Sequence, residues 1–399
     1  MKLRVLVVYD RGSHRGYGEP GIADLEASLQ RAGHAVELFP GRRHDPAQFS
    51  WGVRLVQPFW WLETLDRLRD RVTQFQPTII HMLDWNAQLS PSVYRVARQF
   101  DLPLVQSALD FQLHCLKGTY FRGQKRCEDC LGHGRMKGVV RKCKGDTLSA
   151  SAGLAATLAI HELMGNFSRT VTLFLAPTYY ARRKLIDGGL PREKVIVRAP
   201  YIDIPLPDDG PRTNALFAGP LNEASGFVTL MQAAHESSEV TVDIAGYGED
   251  TVLAEQIPAF NILGPLGDAE LAEQMTRARF LVAPAPSYTG FPDMLIKAFG
   301  ARLPVIASAI GGFDEIVEDG RTGLLFQPGN AKDLARKMQW ANTHPEAMIA
   351  MGHNARKVYQ ERYSSMRGAR QLVDAYELAG QLARGPQMDG KQVTAAEMK

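Results

Sequence analysis

Four cysteines have the spacing that most directly suggests chemistry. Cys115, Cys127, Cys130 and Cys143 are the whole cysteine content and lie within 29 positions of one another. A Cys-x-x-Cys pair with two outlying thiols suits tetrahedral Zn²⁺. Four protein ligands would leave no position open for water, so the metal would be structural and would supply folding energy to a Gly- and Lys-rich segment. The alternative is four reduced thiols packed in a core.

A cationic run overlaps the last cysteine. Residues 135–144, Arg-Met-Lys-Gly-Val-Val-Arg-Lys-Cys-Lys, contain five cations and no acid, and an Ala- and Leu-rich helix is predicted from Leu148 to about Met164. Cations beside apolar side chains suit an anionic or lipid-linked acceptor at a membrane surface. The alternative is a solvated loop followed by a core helix.

Glycine-rich turns occur in both halves of the chain, and the second suits the binding of a diphosphate. The first contains Gly16, Gly18 and Glu19, between a predicted strand and a predicted helix. The second, Gly290-Phe291-Pro292, precedes an amphipathic helix whose N-terminus would present unpaired N–H groups and about half a positive charge. Gly311-Gly312 is either a flexible turn beside this site or only a tight connection from strand to helix.

Short apolar runs alternate with amphipathic segments along the whole chain, which predicts parallel sheets covered by helices. Predicted strands in the first half are 3–8, 35–38, 78–82, 104–106, 173–176 and 195–198. Those in the second half are 214–218, 240–245, 260–263, 280–283, 305–307 and 324–326. Residues 201–211 contain three prolines and three aspartates and are predicted to be a linker. Two Rossmann-like halves would place a cleft between them.

Composition excludes several classes of protein. The 399 residues are 45% hydrophobic and 22% charged, which is typical of a globular chain and not of a disordered one. The 46 basic and 43 acidic residues argue against a dedicated nucleic-acid binder. No signal-peptide pattern and no apolar run of about eighteen residues occurs. We therefore expect a cytoplasmic protein, with peripheral contact at the inner face of the membrane left open.

The second half contains several recognisable motifs, which are Phe-Ala-Gly-Pro-Leu-Asn-Glu-Ala-Ser-Gly at 217–226, Ile-Ala-Gly-Tyr-Gly at 244–248, Thr-Gly-Phe-Pro at 289–292, and the segments 303–312 and 315–326. In these motifs the chain resembles the retaining glycosyltransferases of family four. The resemblance covers nearly the whole chain, and the cysteine insertion looks like one carried by a subset of bacterial members. It implies an α/β protein of GT-B fold, with two facing Rossmann-like domains and parallel sheets. It also implies transfer from a nucleotide-sugar donor without a catalytic metal.

Several side chains that the family uses to bind its donor are replaced. Pro220 and Ser225 stand where an Arg and a Lys neutralise the donor pyrophosphate, and Leu109 stands where a His contacts the donor sugar. Thr289 and Lys297 stand where two Glu residues bind sugar and ribose hydroxyls. Lys297 either meets a phosphate or an acid, or is a solvated helix lysine. Because these positions are degenerate, no catalytic residue is predicted.

The resemblance predicts two domains. The first domain spans 1–205 and contains the cysteine-rich insertion 113–146. The second spans 212–362. A C-terminal helix at 363–384 is expected to pack back on the first domain, and the tail at 385–399 is expected to be disordered. Asp110 is expected to orient an acceptor hydroxyl, or to be a turn residue. The predicted substrate-binding residues are Gly16, Gly18, Glu19, Asp110, Thr289, Gly290, Phe291, Pro292, Lys297, Gly311, Gly312 and Glu315.

Two functions are consistent with these observations. One is a glycosyltransferase that acts in assembly of a cell-surface glycan, on a lipid-linked acceptor or on a metabolite. The other is a catalytically inactive pseudo-glycosyltransferase that binds or scaffolds a partner transferase.

Overall fold

The computed structural model describes residues 2–10, 19–41, 62–83, 89–122, 125–202, 204, 210–237, 239–288 and 290–384. Three predictions lie outside these residues: the Gly16 and Gly18 turn, Thr289, and the disordered tail at 385–399. Glu19 is described only as the first residue of a helix.

The first domain is built on a six-stranded parallel sheet with the order β2-β1-β3-β4-β7-β8. Its strands are β1 (Arg4–Asp10), β2 (Ala35–Gly41), β3 (Ile79–Met82), β4 (Leu104–Ser107), β7 (Leu173–Ala176) and β8 (Val195–Val197). A short antiparallel hairpin, β5 (Phe121–Arg122) with β6 (Lys125–Arg126), lies in the insertion between β4 and β7. The strand centres are apolar because helices cover both faces of the sheet.

Helices connect these strands as parallel pairing requires. They are α1 (Glu19–Arg31), α2 (Leu62–Phe75), α3 (Ser90–Gln99), α4 (Met136–Val140), α5 (Leu148–Leu163) and α6 (Tyr179–Asp187), with a π-helical turn at Asn166–Thr170 after α5. Threonine caps fix two of the helix starts. The Thr147 hydroxyl accepts from the Ala150 N–H at 3.2 Å, and the Thr178 hydroxyl accepts from the Ala181 N–H at 3.0 Å.

The second domain has six parallel strands in the Rossmann order, β11-β10-β9-β12-β13-β14. They are β9 (Ala215–Ala218), β10 (Val242–Ala245), β11 (Phe260–Gly264), β12 (Phe280–Ala283), β13 (Val305–Ser308) and β14 (Gly323–Phe326). The chain order reverses between β9 and β12, where ligands bind in sheets of this type. The predicted α/β class with two parallel sheets is confirmed.

Eight helices of the described part follow β9. They are α7 (Phe227–Glu236), α8 (Thr251–Ala254), α9 (Asp268–Arg277), α10 (Asp293–Gly300), α11 (Gly312–Ile316), α12 (Ala331–Thr343), α13 (Pro345–Arg362) and α14 (Ser365–Ala383). Within the described part of the chain, no helix is both long enough and apolar enough to cross a bilayer.

The last helix, α14, lies on the first domain. Its buried face, which includes Leu372 and Tyr376, packs in one cluster with side chains of β1 and α1. The Tyr376 hydroxyl is 2.8 Å from Nδ1 of His81 on β3, and Nε2 of the same ring is 2.9 Å from the Ser107 hydroxyl on β4. Arg198 Nη2 also donates to the Gly368 carbonyl at 3.1 Å. The chain therefore returns to its first sheet after completing its second.

Because the His81 ring is buried, we expect the free energy of unfolding to fall as the pH is lowered. Burial, assisted by the Arg198 charge, lowers the pKa of His81 from 6.5 to about 3. Below pH 6.5 the unfolded chain binds a proton that the folded chain does not, so stability is lost as the pH falls toward 3. Between pH 7 and pH 5 this one group should cost about 2 kcal/mol of unfolding free energy.

Denaturant unfolding at both pH values measures this effect, with His81→Gln as the comparison. The variant should lose less stability on acidification than the parent, by about the same 2 kcal/mol. Equal losses in the two proteins would contradict the assignment.

Candidate functional site

A cavity of about 470 Å³ lies between the two domains, a size typical of small-molecule sites. Its walls are the loop after β4 in the first domain and, in the second, the loops after β9 and β12 with the start of α10. The residues that line it include Leu109, Asp110, Thr119, Pro220, Ser225, Tyr288, Gly290, Phe291, Pro292 and Asp293. The cavity thus occupies the switch point of the second sheet.

The domains meet at Gly290. A Cβ atom placed on this residue would lie 1.6 Å from the Leu109 carbonyl oxygen and 2.5 Å from its carbonyl carbon, so only glycine permits the contact. The Leu109 side chain points into the core of the first domain and is 5% exposed. Its backbone therefore borders the cavity, where the family resemblance implied a donor-binding His.

Helix α10 begins at the cavity wall. Gly290, Phe291 and Pro292 line the cavity immediately before the helix, in the arrangement that the sequence predicted for this segment. Asp293, the first helical residue, also lines it and was missed by the sequence analysis. Burial raises the pKa of the Asp293 carboxyl, although Lys297 and N–H groups of the helix start act in the opposite direction. An acid directly after Gly-Phe-Pro was the available signal.

The loop after β9 contributes no cation to the cavity. Pro220 and Ser225 both line it, at the positions where the resemblance implied Arg and Lys. The Ser225 N–H donates to the Asn222 side chain at 3.0 Å, and its hydroxyl donates to the Asn222 carbonyl at 2.7 Å. Ser225 is thus engaged within its own turn.

Lys297 meets an acid of its own domain. Its ammonium is 2.9 Å from the Asp268 carboxylate at the start of α9, and its side chain is 22% exposed. Of the alternatives that the sequence left open for Lys297, pairing with an acid is the one observed. Lys297 does not line the cavity.

Glu315 joins the second domain to a helix of the first. Its two carboxylate oxygens accept the backbone N–H groups of Tyr179 and Tyr180, at 2.9 and 2.8 Å. These are first-turn donors of α6, which have no partner within their helix, and a carboxylate there also opposes the positive end of the helix dipole. Glu315, predicted to bind substrate, therefore makes an interdomain cap in this structure.

Gly311 and Gly312 lie beside this cap and outside the cavity lining. Gly311 has φ of +58°, and a Cβ there would lie 3.1 Å from the Tyr288 ring. At Gly312 the nearest atom to such a Cβ is Thr178 Cγ2, at 3.5 Å. Both glycines thus lie in a strand-to-helix turn that packs closely against residues at the domain boundary.

Aromatic rings pack at the domain boundary beside the cavity, which Tyr288 also lines. The rings of Tyr180 and Tyr288 have centroids 4.9 Å apart, Phe111 and Tyr120 are 5.0 Å apart, and Tyr120 is 6.4 Å from Tyr288. Burial raises the pKa of Tyr120 and of Tyr180 well above the ordinary value of tyrosine. Both hydroxyls are therefore neutral and can only donate or accept hydrogen bonds. Their positions along the chain gave no sign of this cluster.

The cavity lining combines acids with apolar groups. Of the lining residues that the structure describes, none is Lys, Arg or His, and the carboxylates are those of Asp110 and Asp293. Asp110 Oδ1 accepts from the Gln112 N–H at 2.9 Å, which is the local role of a turn residue. Such a lining can accept hydrogen bonds from hydroxyl groups, whereas a phosphate would have to rely on uncharged donors, which are backbone N–H groups and side chains such as Thr119 and Ser287.

The four cysteines are half-buried in the insertion. Burial raises the pKa of the Cys130 thiol, and the nearby Cys115, Cys143 and Cys127 add to the rise. In the described residues, however, no group of three or more His, Cys, Asp or Glu side chains is arranged so that it could hold a metal ion. Zinc therefore stays a prediction.

Comparison with known proteins bears on both domains. Residues 18–200 match the family model "Glycosyl transferase 4-like domain", and residues 212–343 match the model "Glycosyl transferases group 1". An uncharacterized glycosyltransferase of Methanocaldococcus jannaschii is 28% identical over 191 residues, which are 46% of this chain and 53% of that protein. The chain thus spans about half the length of this curated relative.

Solved structures share the fold over nearly the full chain. Anabaena HepE in complex with UDP has a TM-score of 0.65 at 16% identity and covers 94% of this chain and 100% of its own. Sucrose-phosphate synthase from Thermosynechococcus elongatus has a TM-score of 0.68 at 16% identity and covers 94% and 98%. At these identities the likeness shows the fold alone.

The close approach at Gly290 predicts that Gly290→Ala will force the domains apart. The added methyl group has no room beside the Leu109 carbonyl, so the free energy of unfolding should fall by about 1–3 kcal/mol. Small-angle scattering should report a larger radius of gyration. Gly312→Ala is the matched control, because its Cβ would make only ordinary contacts, and a Gly290→Ala protein as stable and compact as this control would contradict the prediction.

Proposed function

We propose that this chain transfers a sugar from a nucleotide-sugar donor. The premise is that it is a glycosyltransferase of the GT4 type with a GT-B fold. The acceptor we propose is a cell-surface glycan, a lipid-linked molecule or a metabolite. The observation that carries the proposal is the cavity of about 470 Å³ between the domains, bounded by the start of α10. A helix start is suited to bind the donor phosphates.

Asp293 would take over part of the work of the replaced glutamates. Its carboxyl lies at the cavity wall and can accept a hydrogen bond from a sugar or ribose hydroxyl, which Lys297 cannot do. With a raised pKa, the same group in its protonated form could donate to a phosphate oxygen instead. Apolar neighbours such as Phe291 exclude water, and this strengthens either contact.

A second function is favoured by the missing cations. Pro220 and Ser225 provide no positive charge to stabilise a departing diphosphate. Such electrostatic stabilisation is usually the largest contribution to this kind of catalysis. No described lining residue replaces it. The alternative proposal is therefore a pseudo-glycosyltransferase, which binds or scaffolds a partner transferase.

Calorimetric titration with uridine, guanosine, adenosine and thymidine diphosphate sugars tests these proposals, followed by an assay for release of the diphosphate. Micromolar binding with release is the expected result for the transferase. Asp293→Asn should then weaken binding by about ten- to a hundredfold, because one charge-assisted hydrogen bond is worth about 1.5–3 kcal/mol.

Absence of binding across the panel would favour the pseudoenzyme. The double variant Pro220→Arg with Ser225→Lys then distinguishes two cases. If nucleotide binding appears, the cavity has the right shape and lacks only charge. If it does not appear, the transferase proposal fails.

We also propose that Cys115, Cys127, Cys130 and Cys143 bind one structural Zn²⁺ once their side chains turn toward a common centre. The proposal is supported by the gathering of all four thiols in one insertion. Metal analysis of freshly purified, reduced protein should find about one zinc per chain, and a chelator should lower the melting temperature. Less than about one zinc, with no effect of the chelator, would contradict it.

A further inference from the structure

Helix α5 exposes an uncharged face. At 3.6 residues per turn, one arc of about 140° contains only small and apolar side chains. Its exposed members are Leu148, Ser149, Ala152, Gly153, Ala156, Ala159 and Leu163, and Ile160 in the same arc is half-buried. The two leucines are strongly exposed, at 54% for Leu148 and 88% for Leu163.

This pattern is unusual for a helix on the surface of a globular protein, whose outer face is normally polar or charged. The opposite face, with Leu154 and Leu158, is buried in the first domain as expected. Glu162 stands at the edge of the exposed arc, and its carboxylate is paired with Arg135 at 3.0 Å. An exposed apolar patch of this kind marks a binding surface for a protein or a membrane.

The adjoining segment is cationic and also exposes apolar side chains. Met136 and Val140, one turn apart on α4, are 70% and 71% exposed. Between residues 131 and 148 the chain carries five cations and one acid, and Lys137, Lys142 and Lys144 are exposed. Helix α4 packs against α5, so the cations and the uncharged arc belong to one surface region, which we call the α4–α5 surface.

We propose that the α4–α5 surface docks on an anionic lipid bilayer. The exposed leucines, Met136 and Val140 would enter the boundary between headgroups and acyl chains, and the lysines would pair with lipid phosphates. The cations favour an anionic lipid bilayer over a second copy of the chain as the binding partner. A two-fold interface would bring two copies of one cation cluster together, whereas anionic headgroups neutralise it. This inference does not depend on sugar transfer.

Cosedimentation of the full chain with vesicles tests the proposal. Binding to phosphatidylglycerol vesicles is expected, with weak or no binding to phosphatidylcholine vesicles, and it should fall as salt is raised. The double variant Lys137→Glu with Lys142→Glu should weaken binding to anionic vesicles by more than tenfold, since each cation is worth on the order of fivefold.

Ala156→Glu places a charge in the centre of the uncharged arc and should abolish binding. Ala350→Glu on α13 is the matched control, because Ala350 is also an exposed helical alanine and lies in the second domain. It should bind vesicles like the parent. Circular dichroism and thermal unfolding verify that each variant folds.

Two results would overturn the proposal. One is equal binding of the parent to anionic and neutral vesicles, or binding to neither. The other is a concentration-dependent dimer in sedimentation velocity that Ala156→Glu dissociates while vesicle binding is absent, which would assign the surface to a second copy. Both outcomes are independent of donor binding, because titration with nucleotide sugars uses no lipid.

Discussion

The close approach of Gly290 to the Leu109 carbonyl is the contact on which the rest of the interdomain site depends. Without a side chain at that point, the loop after β4 and the loop after β12 come together and border the cavity. The tyrosine cluster and the Glu315 cap, which share Tyr180, both need residues of two domains at ring-packing or hydrogen-bonding distance. One missing methyl group thus sets the separation of the two sheets.

The charged groups near the site are largely neutralised within the protein. Lys297 pairs with Asp268, and Glu315 accepts two N–H groups of α6. The Asp293 carboxyl accepts hydrogen bonds from backbone N–H groups at the start of its own helix. Each arrangement lowers the cost of keeping a polar group out of water. The outcome is a cavity that offers carboxyl and backbone groups where charged amino groups were expected from the family resemblance.

Sequence reasoning was most successful where periodicity and turn chemistry determine structure. The alternation of apolar runs predicted both parallel sheets, and Gly290-Phe291-Pro292 correctly marked a helix start at the cleft. It failed where contacts join residues far apart in sequence: Tyr120, Tyr180 and Tyr288 carry no local pattern, and Glu315 was separated from α6 by more than a hundred residues. For α5 the sequence left a membrane-facing surface and a core helix as alternatives, because a helix that is apolar on most sides normally suggests burial.

The return of α14 to the first domain links the order of synthesis to folding. Strand β1 leaves the ribosome before every other described strand, yet the helix that covers its side of the sheet, with Leu372 and Tyr376, is among the last described segments to emerge. Until then His81 lacks its Tyr376 partner and part of the apolar face of the first sheet stays open to water. The first domain therefore cannot complete its folding ahead of the second, as domains in a chain commonly do. That apolar face is therefore exposed to solvent throughout translation of the second domain.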